Sequence, residues 1–392
     1  MTARPPLLIA GAGIAGLALG LALARRGMQS RILERRLEPA EAGAGIQLGP
    51  NAMKVLARLG VAERLEPATS QPDAIDVADG ATGRHLTSLP LGQWLARRHG
   101  APYRVAHRAD LHRALLDTAL ALPAIEIVRD CEVTGFTQRH DGVEVETKAG
   151  HHFDGCALVG ADGLWSVVRR ALFPDHSLTY SGKMAARTVI PAPRDGSRFT
   201  RPVTGVWLSP DTHVVHYPVR GHSEIAIVAV VDEDEPREGW GGTIEATSVL
   251  ARLIRFAPEL IGFLGRANEW RAWSLYDPAP LPAWSRGSVG LIGDAAHPIL
   301  PFLAQGGGMA LEDAIVLAGL LADAPLDPTG AFTRFHAERG PRVLRVQDAS
   351  RANGRIFHLN GLAATARNTT LRLAPGTLMM RRYDWLYGFD AG

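Results

Sequence analysis

Cysteine is almost missing from this chain of 392 residues, where only Cys131 and Cys156 occur. Two distant thiols cannot build a disulfide framework and lack the paired spacing of a zinc site, so no metal centre and a reducing compartment are expected. Charge of one sign is missing too. The 42 basic and 40 acidic residues leave a net charge of +2 and form no long block, which disfavours nucleic acid as a partner, since phosphate binding needs a concentrated basic surface. No uncharged run of about 20 apolar residues occurs, so no membrane span and a cytoplasmic location are expected. GxSxG, HExxH and Walker loops are also absent, leaving serine hydrolase, zinc protease and P-loop chemistry without their residues.

What is present is apolar and glycine-punctuated. A hydrophobic content of 46% in a chain of this length supports a large core and exceeds what one compact domain usually holds, so two closely packed domains are expected. The opening stretch "LLIAGAGIAGLALGLALARRG" resembles a signal peptide only in its apolarity. Its glycines at positions 11, 13 and 16 fall where a strand hands over to a helix. The spacing predicts a strand from Leu7 to Ala10, a helix from Ala15 to Arg26 and a second strand ending at Glu34. In this βαβ pattern Gly11 allows the sharp turn, Gly13 lets backbone approach a pyrophosphate, and Gly16 permits close helix–strand packing. The helix N-terminus offers its positive end to the phosphates. Glu34 stands where a carboxylate accepts ribose hydroxyls and repels a 2′-phosphate, which disfavours NADP there and leaves FAD or NAD.

Further along, Gly43, Gly45 and Gly49 mark a loop into a helix from Pro50, with Gln47 either reaching a cofactor or simply solvated. Arg108 precedes a helix that Asp110 is placed to cap, and it suits either a cofactor phosphate or a helix surface. The strand Ala157 to Gly160 ends at Asp162-Gly163, ahead of a helix opened by Ser166 and Val167. Asp162 could bond a nucleotide or act as a plain helix cap. From Val189 to Val231 short alternating segments predict antiparallel strands. In "HVVHYP" side chains alternate, so His213, Val215 and Tyr217 share one face and Val214 and His216 the other. Metal binding by the two histidines is thereby disfavoured, whereas His213 with Tyr217 could bind a phenolic or carboxylate group and exchange a proton. Near the end of the chain "GDAAHP" holds Asp294, and Gly306-Gly307-Gly308 precede an apolar segment read as a buried helix from Met309. The tail from Val343 reads as helical and Arg-rich, suited to a homodimer contact or to covering the core.

The ordered set "GAGIAG" with Glu34, "GADGLWSVVR" and "GDAAHP" resembles the class A flavoprotein aromatic hydroxylases, in particular the salicylate hydroxylase and 3-hydroxybenzoate 6-hydroxylase branch. The resemblance covers nearly the whole chain, including "DWLYGFD". It implies an α/β protein with a Rossmann-like FAD-binding domain, an inserted antiparallel β-sheet substrate domain and C-terminal helices. The corresponding ranges are 1–70, 103–176 and 277–345 for FAD, 71–102 and 177–276 for substrate, and 346–392 for the helical region. FAD would be held by Gly11, Gly13, Ala15, Gly16, Glu34, Arg35, Gln47, Arg108, Asp162, Asp294 and Gly306 to Gly308. Asp294 would meet a ribityl hydroxyl, and the helix after the glycines would aim its N-terminus at the flavin.

With only one strand-coupled GxGxxG, NADH or NADPH would bind transiently. The implied reaction passes hydride to FAD, forms a flavin C4a-hydroperoxide with O2 and hydroxylates a small phenolic or N-heteroaromatic acid, with His213 and Tyr217 facing the substrate. One departure is Pro301-Phe302, where some 3-hydroxybenzoate hydroxylases carry a polar residue. Proline donates no hydrogen bond and phenylalanine prefers an apolar neighbour, so either the substrate is less polar there or Arg187 or Tyr103 completes its recognition. The competing readings are a same-fold oxidoreductase, epoxidase or halogenase, the last weakened by the lack of a WxWxIP segment, and a non-catalytic flavin-binding protein.

Overall fold

The computed structural model describes residues 5–38, 44–237 and 241–392, so Gly43 lies outside the described residues. Strand Leu7–Ala10 is apolar at every position and buried throughout, as a strand covered by helices on both faces should be. It lies inside a six-stranded sheet ordered Ser285–Arg286, Val289–Leu291, Ala157–Gly160, Leu7–Ala10, Ser30–Leu33 and Ile125–Val128. All neighbours are parallel except the edge pair formed by the first two. The chain leaves Leu7–Ala10 toward Ser30–Leu33 and later returns to its other side with Ala157–Gly160. Strand order therefore reverses at this strand, and open α/β sheets hold ligands at such a switch point, beyond the carboxyl ends of the strands.

Helices Ile14–Ala24 and Gly306–Asp323 pack against each other and are buried on most faces, which accounts for their lack of a polar stripe. Gly16 lets the first helix close on the turn before it and on strand Leu7–Ala10, because a Cβ there would stand 2.0 Å from the Gly11 carbonyl oxygen and 3.3 Å from the Ile9 side chain. The second helix starts three residues before the predicted Met309. Gly306, Gly307 and Gly308 form its first turn, with Gln305 as N-cap. Glycine disfavours helix by about 1 kcal/mol per residue, but packing overrides propensity here: a Cβ on Gly307 would sit 2.8 Å from Ile46, and one on Gly308 3.0 Å from Gln305 Oε1. A further correction concerns Asp110. Helix Arg108–Leu120 is capped by His107, whose Nδ1 accepts the Ala109 N–H at 3.3 Å, while Asp110 pairs with Arg220 at 3.1 Å.

The second large sheet has eight strands, in the order Gly242–Ile244, Trp270–Tyr276, Tyr180–Pro191, Glu224–Asp232, Thr212–Val219, Val203–Ser209, Ala74–Asp79 and His85–Pro90. Its pairs are antiparallel except Val203–Ser209 with Ala74–Asp79. Register puts Ala185 opposite Trp273 and Val230, Val230 opposite His213, and Val228 opposite both Arg187 and Val215. Trp273, Arg187, His213, Val215 and Tyr217 therefore share one face. Met184, Ala186 and Val214 take the reverse face, closed by helices Ala246–Arg252 and Pro258–Leu264. His216 packs there against Phe199 and Phe263 at centroid distances of 5.2 and 5.7 Å.

The C-terminal part is helical from Pro328, well before the predicted Val343. It comprises Pro328–Phe357, Gly361–Leu373, Gly376–Arg381 and Asp384–Tyr387. Among the described residues no helix is long and apolar enough to cross a membrane, and no group of three or more His, Cys, Asp or Glu could hold a metal ion.

Candidate active site

The switch point opens into one continuous cleft. Gly11, Gly13, Glu34, Arg35, Arg108, Asp162 and Asp294 all line it, as do Arg187 and Trp273 of the eight-stranded sheet. Glu34 and Asp294 thus belong to a single elongated depression. Ala15, Gly16, Gln47, Gly306 to Gly308, His213 and Tyr217 do not line this cleft. Ala15 and Gly16 are buried in the first helix, and the three glycines begin the helix beside it, where Gly306 faces Asp294 with only Oδ1 as near as 4.0 Å to an added Cβ.

Each wall has a local cause. Gly11 has φ +101°, and a Cβ there would lie 2.8 Å from the Ala161 oxygen, whereas one on Gly13 would meet nothing within 4 Å. Gly11 serves the turn, and Gly13 leaves the helix N-terminus bare toward the cleft. The Glu34 carboxylate bridges this turn: one oxygen accepts the Ala12 N–H at 2.7 Å and the other the Arg36 N–H at 2.9 Å. Asp162 behaves as a helix cap on one side, its Oδ2 accepting the N–H groups of Val167 and Val168 at 2.7 and 3.3 Å. Its Oδ1 is enclosed and has no partner, and burial raises its pKa despite those bonds. Arg169 ties this loop to the next one, donating to the carbonyls of Leu164, Asp294 and Ala295.

Arg187 projects from the sheet into the cleft over the Trp273 ring, 5.1 Å from its centroid. Burial pulls its pKa down to about 10, so the group stays cationic at neutral pH, and its Nε has no partner. An enclosed guanidinium nitrogen and an enclosed carboxylate oxygen without partners, together with an open helix N-terminus, fit a phosphate-bearing aromatic cofactor such as FAD along this cleft.

Gln47 is engaged elsewhere. Its Oε1 accepts the Tyr103 hydroxyl at 2.5 Å, and it also hydrogen-bonds Tyr217. Burial raises the pKa of both phenols. Gly45 lies directly against Tyr217, since a Cβ there would come within 2.5 Å of the hydroxyl oxygen. His213 is nearly sealed from solvent. Its ring faces Phe302 and Phe357 at 5.6 and 5.2 Å, and Nδ1 lies 2.8 Å from Nε2 of His358. Burial holds its pKa well below the usual histidine range, and the neighbouring His358 adds to that effect. Pro301-Phe302 is clamped to helix Pro328–Phe357 through Ser350 and Asn353, which donate to the carbonyls of Leu300 and Phe302 at 2.6 and 3.3 Å.

Sequence reasoning missed a charged network behind the cleft. Asp313 accepts from Gly293 N–H, Arg339 Nε and His297 Nε2 at 3.0, 2.9 and 2.6 Å. Glu312 binds Arg339, Arg342 and Asn51, each at 2.7 Å. Burial alone would raise the Asp313 pKa; the charges of His297 and Arg339 outweigh it and bring the group to about 2. The one available sequence signal was an adjacent Glu-Asp pair inside an apolar helix, which needs cationic partners when buried.

Residues 4–350 match the family model for the FAD binding domain. The chain is 36% identical over 383 residues to 3-hydroxybenzoate 6-hydroxylase 1 of Aquipseudomonas alcaligenes, covering 97% of each. It is 32% identical over 394 residues to 6-hydroxynicotinate 3-monooxygenase of Bordetella bronchiseptica, covering 100% of this chain and 96% of that one. A substrate complex of salicylate hydroxylase superposes with a TM-score of 0.83 at 23% identity, covering 100% and 97% of the two chains, which establishes the shared fold. With the family model and the full-length relatives in agreement, the chain belongs to the class A FAD-dependent aromatic hydroxylases, the family that includes 3-hydroxybenzoate 6-hydroxylase.

Proposed function

We propose that this chain is a monooxygenase that uses FAD, NADH or NADPH and O2 to hydroxylate a small phenolic or N-heteroaromatic acid. The single observation that carries the reading is the run of one cleft from the glycine turn, past Asp162 and Asp294, to Arg187 on the sheet face that also bears His213 and Tyr217. The activities for which the relatives are named, on 3-hydroxybenzoate and 6-hydroxynicotinate, support an aromatic acid as substrate.

Gly11, Gly13, Glu34, Arg35, Arg108, Asp162 and Asp294 would hold the cofactor along the cleft, backed by Ala15, Gly16, Gln47 and the first turn Gly306 to Gly308. Bound FAD would supply electron storage and oxygen activation. The chain's own residues do the rest. Arg187 offers a cation to the carboxylate of the acid, in a half-enclosed setting where a charge-assisted hydrogen bond is strong. His213, neutral at physiological pH, takes the ring hydroxyl's proton, which makes the ring more electron-rich. Tyr217, kept protonated by burial and held by Gln47, donates a hydrogen bond without ionising.

The deciding experiment uses the purified protein and a panel of hydroxybenzoates and hydroxynicotinates. We expect a yellow protein whose NADH or NADPH oxidation is stimulated by at least one acid, with a product heavier by one oxygen. A colourless protein that takes up no FAD, or stimulation with no oxygenated product from any acid, overturns the proposal.

A further inference from the structure

The hydroxylase reading assigns His213 a proton to accept but gives that proton no way out. The residue is buried between two phenylalanine rings, and its Nε2 has no protein partner among the described residues. Its Nδ1 meets His358, which comes from the far end of helix Pro328–Phe357 and is only half-buried. That end is fixed by Arg367, which donates to the terminal carbonyls of Ile356 and Phe357 at 3.0 and 2.7 Å. The backbone just before His358 is thereby tied to helix Gly361–Leu373.

We propose that His358 is the positioning and proton-exit residue for His213: its Nε2 accepts the His213 Nδ1–H, which keeps the His213 Nε2 lone pair free for the substrate hydroxyl. This rests on the hydroxylase reading above. In a neutral imidazole one nitrogen donates and the other accepts, so the partner of one decides the state of the other. Burial lowers the pKa of both rings, that of His358 to about 4, so the contact holds one shared hydrogen at neutral pH.

The proton balance closes without any redox change. The substrate O–H bond breaks as an Nε2–H bond forms on His213. The His213 Nδ1–H bond then breaks as an Nε2–H bond forms on His358, and the Nδ1–H of His358 passes to water at the exposed side. The charged groups facing this pair are Lys183, which is ion-paired with Asp232, and Arg367. The two cations disfavour a lasting imidazolium and Asp232 favours it, so the charge moves on rather than resting on the pair.

The test needs no substrate for its first arm. Nitrogen-15 NMR of the histidine side chains in the purified FAD-loaded protein at pH 7 should show His213 as the neutral Nδ1–H tautomer. His358→Gln, whose amide oxygen can still accept, should keep that tautomer, and His358→Phe should lose it. In the second arm, with an acid that the panel identifies as substrate, both variants should lower kcat roughly tenfold to a hundredfold with FAD affinity unchanged, and added imidazole should restore part of the rate in His358→Phe. An Nε2–H tautomer or an imidazolium at His213 in the unsubstituted protein overturns the proposal, as does a His358→Phe variant of normal rate when His213→Ala is slow. Failure of the hydroxylase reading is distinguishable, because it appears as no oxygenated product from any acid while the tautomer result stands.

Discussion

The Asp313 carboxylate accepts the backbone N–H of Gly293 at 3.0 Å, so a charge buried in the helix Gly306–Asp323 sets the loop that presents Asp294 to the cleft. The same carboxylate binds Arg339 and His297. The loop and the helix are thus one mechanical unit.

Asp313→Ala should be severely destabilising, by about 3–5 kcal/mol, since Arg339 would keep a buried charge with half its partners gone. Asp313→Asn should lose less. The acid side of the stability profile carries a second signature. A carboxyl depressed to about 2 from 3.8 contributes stability above the higher value and loses it as pH falls through the lower one. Urea unfolding should therefore show wild type weakening between those two pH values more steeply than Asp313→Asn; parallel profiles would remove the role given to this carboxylate.

Gly13 and Gly16 should separate binding from stability. Alanine at Gly16 places a Cβ 2.0 Å from the Gly11 oxygen and should cost at least about 1–3 kcal/mol through overpacking. Alanine at Gly13 meets nothing within 4 Å, so stability should stay within about 0.5 kcal/mol. Its methyl group would nonetheless intrude on the cofactor, and flavin fluorescence titration should show FAD affinity weakened by roughly tenfold or more.

Replacing Arg187 by Gln should raise KM for the aromatic acid by roughly tenfold to a hundredfold, as expected for losing a charge-assisted bond of about 1.5–3 kcal/mol, with a smaller change in kcat. Steady-state kinetics decide the matter. A variant with unaltered KM would mean that the acid group is recognised elsewhere.

His213→Ala should slow hydroxylation by roughly a hundredfold while the protein stays yellow. Because burial keeps His213 neutral far below the usual range, its contribution should persist through mildly acidic pH and vanish only when the ring is forced to protonate. The pH profile of product formation in wild type and variant reads this directly; equal product formation in both would dismiss His213 as the base.

Much of the fold was legible because its signals are local. The unbroken apolar run of Leu7–Ala10, the glycines after it and the carboxylate at Glu34 are spaced by one strand, one turn and one helix, and the strand that follows ends at Leu33, beside Glu34. Period-two alternation likewise separates His213 and Tyr217 from His216. The start of helix Gly306–Asp323 was less legible, since three glycines argue for a loop until Ile46 and Gln305 are seen to crowd Gly307 and Gly308. Asp110 looked like a cap by position, but Arg220, brought in from the other sheet, claims it.

Local chemistry and periodicity in the chain itself determined the strand–turn–helix unit, the two-sheet plan and which strand residues share a face, because those depend on neighbours a few positions apart. Only the tertiary structure decided which polar groups meet. His213 finds His358, Gln47 finds Tyr103 and Tyr217, and Glu312 and Asp313 find Arg339 and Arg342 across long stretches of chain. A pKa and a hydrogen-bond role are set by burial and by partners in space, and neither is encoded in the spacing of any single segment.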